Sequence, residues 1–265
     1  MMVLGGLTMS NEEPAEGERL NKVLSRAGVT SRRHAEIMMS RGRVSVNGEV
    51  VTEMGHRINP DTDIVSVDGS VVSLHADALY VMVHKPEGVM STMSDERGRP
   101  DLSTYEKKIG QRVFNVGRLD QDTTGLLLMT NDGEVANRVS HPSFEVEKVY
   151  TAAVKGDVEP SALQTLLSGV ELEDGLHKAD KARMLGTPHA GISLVEITLH
   201  SGKNRIVRRM LDAVGHPVKD LHRRRYGPLH LGGLAPGAWR ELTKVETAQL
   251  LTLAYRDQAP QERTR

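Results

Sequence analysis

The sequence predicts an α+β protein in two parts. A small basic N-terminal domain precedes a larger domain with a mixed, largely antiparallel β-sheet flanked by helices. Three observations carry that expectation. Two short helical patterns and an Asn-Gly hairpin fill the first part. The pattern breaks at LHADA (74–78), after which a new apolar strand begins. Beyond the break, strand-like and helix-like segments do not alternate one for one, as a doubly wound parallel sheet demands. The chain is therefore divided into an acidic, disordered lead (1–17), a small domain (18–75), a large domain (76–256) and a frayed tail (257–265).

In chain order, RLNKVLSRAG begins at Arg19, shows helical spacing and stops at Gly28, a residue suited to a helix end. TSRRHAEIMMSRG offers Thr30 or Ser31 as the N-cap, apolar Ala35, Ile37, Met38 and Met39, and a stop at Gly42. RVSVNGEVV alternates around Asn47-Gly48, the strongest short-range hairpin signal. DIVSVDG adds a short strand with its own Asp-Gly turn. In the larger part, LYVMVHK, VGRLD, TGLLLMTND, EKVYTAAVKG, KARMLG and GISLVEITLH read as strands or strand ends. DGEVANRVSH, PSALQTLLSG, GKNRIVRRMLDAVG and ETAQLLTLAY read as helices. The unbroken run Leu126, Leu127, Leu128, Met129 marks a core strand, and the carboxylate of Asp120 stands at its threshold.

Composition narrows the chemistry. The apolar fraction of 38% supports a packed core, and two Phe and one Trp make that core aliphatic. Cysteine is absent, which removes disulfides, Cys-ligated zinc and thiol nucleophiles and fits a cytoplasmic protein. No apolar run approaches the roughly 20 residues that span a bilayer, so no membrane association is expected. The opening MMVLGGLTM makes a poor signal peptide, and Met9 offers an alternative start. The net charge of -1 conceals segregation, since residues 19–43 hold seven Lys/Arg against one Glu and residues 201–225 hold eight against two Asp. Two such clusters suit a polyanion-binding surface. The histidines are scattered with no HExxH or clustered ligand set, so no metal site is expected.

Ser31-Arg32-Arg33, Ala35-Glu36 and the string GRVSVNG resemble the S4-like RNA-binding domain over about 50 residues. Arg32 and Arg33 at a helix start set guanidinium forks beside free backbone N–H groups, an environment that phosphates prefer. Arg41 and Arg43 extend the patch.

GRLDQDTTGLLLMTNDGE, EKVYTAAVKG and GKNRIVRRM, in that order, resemble the RsuA/RluB family of ribosomal RNA pseudouridine synthases. HKPEGVMSTMSDERGRP and RRRYGPLHLGGLAPGAWRELT support the match, and the latter looks closer to the RluB-like, large-subunit branch. The resemblance implies isomerisation of a uridine in ribosomal RNA, in which the N1–C1′ bond breaks, the captive base turns over, and C5 joins C1′. It implies no cofactor, and ribosomal RNA or an assembling subunit as partner. A monomer is the expected form. By the same resemblance Asp120 is the nucleophile, whether it attacks the ring, attacks C1′ or assists a glycal. Arg208 is its ion-pair partner, and Tyr150 stacks on the flipped base. Lys148, two residues before Tyr150, shares its sheet face. Gly117 permits a tight backbone path and Arg118 binds RNA or braces the loop. Asp122, Thr123, Thr124 and Gly125 read as turn residues fixing that loop. Lys203, Arg205, Arg209, Arg223 and Arg224 complete the expected RNA-binding surface. One departure from the family is Ile206, where a Gln is common.

Two other readings compete. A non-catalytic RNA-binding assembly factor would have no need of Asp120, Tyr150 and Arg208 together, and all three are here. A hydrolase using Asp120 would need a water-activating base that the motifs do not supply.

Overall fold

The computed structural model describes residues 17–60, 62–72, 74, 78–186 and 189–256. The acidic lead up to Glu16 and the tail from Asp257 lie outside them. The chain forms two compact units, Met1–Asp77 and Ala78–Arg265.

In the first unit the elements run β1 (Glu18–Arg19), α1 (Leu20–Arg26), α2 (Arg32–Ser40), β2 (Val44–Val46), β3 (Glu49–Val50), β4 (Arg57–Ile58), β5 (Val65–Val67) and β6 (Ser70–Val71). Strands order as β3-β2-β5-β6, and β1 pairs with β4. Ser31 is the N-cap of α2, its hydroxyl accepting the N–H of His34 at 3.1 Å. Helical phase sends Ala35, Met38 and Met39 into a core with Leu20, Val23 and Leu24, and leaves Ile37 44% exposed. Asn47 and Gly48 both adopt positive φ, 52° and 88°, as the two-residue hairpin turn requires. Asp68 and Gly69 repeat the device at 50° and 78°.

The second unit contains β7 (Tyr80–Lys85), α3 (Ser103–Ile109), β8 (Phe114–Val116), β9 (Thr123–Thr130), α4 (Gly133–Ser140), β10 (Lys148–Lys155), α5 (Pro160–Ser168), β11 (Val170–Leu172), β12 (Gly175–His177), β13 (Lys181–Met184), β14 (Ile192–Leu199), α6 (Ile206–Ala213), β15 (Val218–Tyr226), β16 (Leu229–His230), β17 (Trp239–Glu241) and α7 (Lys244–Ala254). The main sheet follows β13-β14-β10-β15-β9-β7-β17, with β8 also on β9 and β16 also on β15. Every pairing is antiparallel except one, the parallel seam of β15 on β9, where Leu221, His222 and Arg223 oppose Thr123, Thr124 and Gly125. The α+β expectation holds, with a sheet of two antiparallel halves joined at that seam.

The seam explains the apolar run. Leu126 and Leu128 pack with α4 and α7 on one face, and Leu127 and Met129 pack with Val81, Val83 and Tyr105 on the other. A strand covered on both faces reads as a continuous hydrophobic string. The other half of the sheet buries Ala152, Val195 and Ile197 against Ile206, Val207, Met210 and Leu211 of α6.

Several local expectations change. VGRLD is mostly loop, because β8 ends at Val116. Thr123, Thr124 and Gly125 belong to strand β9 rather than to a turn, their backbones being taken up by the seam. The string HRRRY lies inside the nine-residue strand β15.

Candidate active site

Asp120 sits in the loop between β8 and β9, beside the parallel seam. The loop is clasped from both sides through its backbone. Ser91, 3% exposed, receives the N–H of Leu119 at 3.0 Å and donates its hydroxyl to the Leu119 carbonyl at 2.6 Å. The N–H of Gly88 donates to the Gln121 carbonyl at 2.9 Å, and that of Thr123 to the Asp120 carbonyl at 3.0 Å. Gly117 enters the loop at φ 69° with open space where a Cβ would stand, so its backbone angle is what calls for glycine. Leu119 is buried at 5% while the Asp120 side chain keeps 34% of its surface. The nucleophile candidate is thus presented to solvent by a loop whose neighbour is anchored in the core.

Tyr150 arrives from β10. It opposes Arg223 on β15, which opposes Gly125 on β9, and the Tyr150 ring packs against the cluster that holds Leu119, Val83 and Leu127. The structure therefore brings Asp120 and Tyr150, distant in sequence, to one region of the sheet. Lys148 shares the strand, but its ammonium is spent on two carbonyls, Val146 at 3.0 Å and His200 at 2.6 Å. Burial, aided by Arg223, pushes its pKa down to about 8.

The arginines are arranged differently from expectation. Arg208 does not hold Asp120. Its Nη2 donates to the Asp122 carbonyl at 2.7 Å and its Nη1 to the Val218 carbonyl at 3.3 Å, with the Asp122 carboxylate 3.4 Å away. Position on the first turn of α6 aims both terminal nitrogens at backbone carbonyls, and the buried Nε has no hydrogen-bond partner. Arg205 is the guanidinium near Asp120, at 3.8 Å, yet it binds Asp122 far better, with two parallel bonds of 2.9 Å. Arg205 also lies outside the helix. It is the N-cap of α6 with left-handed φ 49° and ψ 28°, so helical spacing from Arg205 to Arg208 does not apply. The two guanidinium groups hold the Asp122 carboxyl below its usual range, the Arg205 hydrogen bond contributing most.

Arg223 is a second correction. It is 2% exposed, donates from Nε to the Leu126 carbonyl at 2.8 Å, and stacks 5.1 Å from the Tyr226 ring centroid. Strand alternation turns it inward beneath the seam, so it is closed to phosphate. Arg224, at the bulge where β10 and β15 shift register, is exposed and pairs with Glu196 at 3.0 Å. Lys203 and Arg209 both lie on Asp174, at 3.3 and 2.7 Å, and Arg43 grips Asp68, with an Nε bond of 2.7 Å. By contrast Arg32, Arg33, Arg41 and Arg118 are exposed and form no ion pair with a described residue. Ile206, where the family commonly has Gln, is buried among the aliphatic residues of α6 and its neighbours.

Lys85 is the residue that sequence reasoning missed. It is fully buried, with its ammonium 3.0 Å from the Pro86 carbonyl and 3.4 Å from that of Gln121. Burial pushes its pKa down to about 8 against the opposing fields of Asp122 and Asp120. The clue in the sequence was a lysine closing a strand that opens on Tyr, Val, Met and Val. Among the described residues no cluster of His, Asp and Glu could hold a metal ion, and no helix is long and apolar enough to cross a membrane.

A fold of this kind, with a carboxylate at a sheet seam and a tyrosine on the adjacent half, has known counterparts. The RNA pseudouridylate synthase model matches residues 79–213 and the S4 domain model residues 18–64. The chain is 48% identical over 243 residues to an uncharacterized RNA pseudouridine synthase of Mycobacterium tuberculosis, covering 91% of this chain and 95% of the relative. It is 44% identical over 238 residues to ribosomal large subunit pseudouridine synthase B of Bacillus subtilis, covering 89% and 97%. A crystal structure of a pseudouridylate synthase superposes with a TM-score of 0.60 at 27% identity, over 88% of this chain and 99% of that one. The chain belongs to the RNA pseudouridylate synthase family, with an S4 domain at its N-terminal side, and is an isomerase acting on RNA.

Proposed function

We propose that this enzyme converts a uridine of large-subunit ribosomal RNA to pseudouridine, with Asp120 as nucleophile and Tyr150 stacked on the extruded base. The observation that carries the reading is the presentation of Asp120. Its loop is fixed through backbone atoms on both sides, so the carboxylate itself is left accessible. A carboxylate with free lone pairs can add to an electron-poor carbon and leave again. The N1–C1′ bond breaks, C5 bonds to C1′, and the proton lost from C5 is balanced by one gained at N1. The sequence of events is redox-neutral and calls for no cofactor. Tyr150 supplies a flat face to a base taken out of its stack. The ribosomal substrate is supported by similarity to the Bacillus subtilis enzyme, whose name states the large subunit. The exposed Arg32, Arg33 and Arg41 of the S4 domain dock the RNA backbone, and the enzyme works as a cytoplasmic monomer on ribosomal RNA or an assembling subunit.

The test is tritium release from ribosomal RNA labelled at uridine C5. Wild-type protein releases tritium, and Asp120→Asn binds the same RNA but releases none. Tight binding without release by the wild type, from either free RNA or subunit precursors, favours a non-catalytic assembly role instead.

A further inference from the structure

We infer that Asp122 is a positioning residue of the reaction, which takes the Arg205 fork and thereby sets how tightly Asp120 is paired. The inference rests on the reading of Asp120 as nucleophile. Two carboxylates stand two residues apart and one guanidinium lies between them. Arg205 gives Asp122 two bonds of 2.9 Å and stays 3.8 Å from Asp120. At the shorter distance the fork occupies the carboxylate's lone pairs. At the longer one it leaves those lone pairs free to react.

The choice is built into the backbone. Arg208 fixes Asp122 through both its carbonyl and its carboxylate, so the residue that captures Arg205 is itself held. Arg205 adopts a left-handed conformation immediately before α6. Asn47 and Asp68, also at positive φ, sit in tight hairpin turns where that geometry is routine. A non-glycine residue held there elsewhere is maintained by its surroundings, and for Arg205 the surroundings include the bidentate grip of Asp122. The charged groups facing Asp120 are Arg205 from the segment before α6, Lys85 from the end of β7, and Asp122 from its own loop, with Arg208 acting on Asp122. Of the three cations, Lys85 and Arg208 are bound to backbone carbonyls. Arg205 alone is divided between two carboxylates.

Removing the Asp122 charge leaves Asp120 as the anion that Arg205 meets. The Asp122→Asn variant of the full chain is compared with wild type in single-turnover tritium release at saturating RNA. The expected result is a rate at least about tenfold lower, with RNA affinity within a factor of about three. Asp122→Asn combined with Arg205→Gln is expected to be faster than Asp122→Asn alone, because the over-tight pair is gone. Asp122→Glu, which keeps a carboxylate for Arg205, is expected to hold the rate within about threefold of wild type, and serves where Asp122→Asn does not fold. An Asp122→Asn protein with the wild-type rate overturns the inference, as does a double variant no faster than the single one or an Asp122→Glu protein as slow as Asp122→Asn. Asp120→Asn separates the two levels. If that variant retains activity, the nucleophile reading itself fails. If it is inert while Asp122→Asn behaves as wild type, only the role of Asp122 falls.

Discussion

Lys85 and Asp120 illustrate how differently two charges can be accommodated near one site. Asp120 keeps contact with solvent, whereas Lys85 is sealed among backbone carbonyls at the end of β7. Burying an ammonium favours its neutral form, and the field of the nearby aspartates offsets only part of that cost. The folded-state pKa of about 8 lies below the unfolded value of 10.5, so the unfolded chain binds more protons between the two. Stability is therefore lowest below pH 8 with respect to this group, and rises as pH climbs from about 8 toward 10.5. Lys148, also pushed down to about 8, adds in the same sense. Denaturant titrations across that window check this. Lys85→Met is expected to flatten the rise, and an unchanged slope would show that burial does not lower the pKa of this lysine. The lysine was visible in the sequence as the last residue of LYVMVHK, but its burial was not, because an ammonium at a strand end is ordinarily solvated.

At the level of elements, the parallel seam between β9 and β15 organises the catalytic unit. It joins the half of the sheet that carries Tyr150 to the half that follows Asp120, and Gly125 is the residue that lets the two backbones close. A Cβ there would stand 2.2 Å from the Arg223 carbonyl oxygen and 2.7 Å from its nitrogen, at φ 111°. Backbone atoms cannot give way as a flexible side chain can, so Gly125→Ala is expected to destabilise by more than about 3 kcal/mol and to open the seam. Gly117→Ala meets nothing within 4 Å and bears only the left-handed backbone penalty, about 1–2 kcal/mol. Thermal melts of the two variants side by side test the contrast, and equal losses would place the demand on φ alone. The apolar run of β9 was legible as core. Its parallel partner was not, because VKDLHRRRY is too basic to read as a central strand. That strand turns Arg223 inward to a carbonyl and a tyrosine ring instead of to solvent.

Across the whole molecule, charge is far from evenly available. The C-terminal basic cluster is largely neutralised within the fold, with Lys203 and Arg209 on Asp174, Arg205 on Asp122, and Arg224 on Glu196. In the S4 domain Arg32, Arg33 and Arg41 carry no such partner among the described residues. Counterion release upon RNA binding follows the phosphates actually neutralised, with a slope near 0.7 per contact for single strands, by order of magnitude about 1.4 for two. Arg32→Ala with Arg33→Ala is therefore expected to weaken binding and reduce the salt slope by about that amount, while the single-turnover rate at saturating RNA is unchanged. Arg223→Gln should leave the slope alone and lower the melting temperature. A fall in slope for Arg223→Gln, or none for the double variant, would reverse this assignment of the docking surface.

Local sequence determined the parts of this protein whose cause is local. The Asn47-Gly48 turn follows from two residues that tolerate positive φ, the cap of α2 from the Ser31 hydroxyl, and the core strand from four successive apolar side chains. Motif order was also enough to point to the family, since those strings keep their order and spacing whatever the tertiary contacts. Tertiary structure decided which carboxylate each arginine meets. Asp120 and Asp122 are indistinguishable to a counting argument, and so are Arg205 and Arg208. The fold separates them because a guanidinium pairs by distance and angle, and those are set by the Asp120 loop, the left-handed Arg205 and the first turn of α6 acting together.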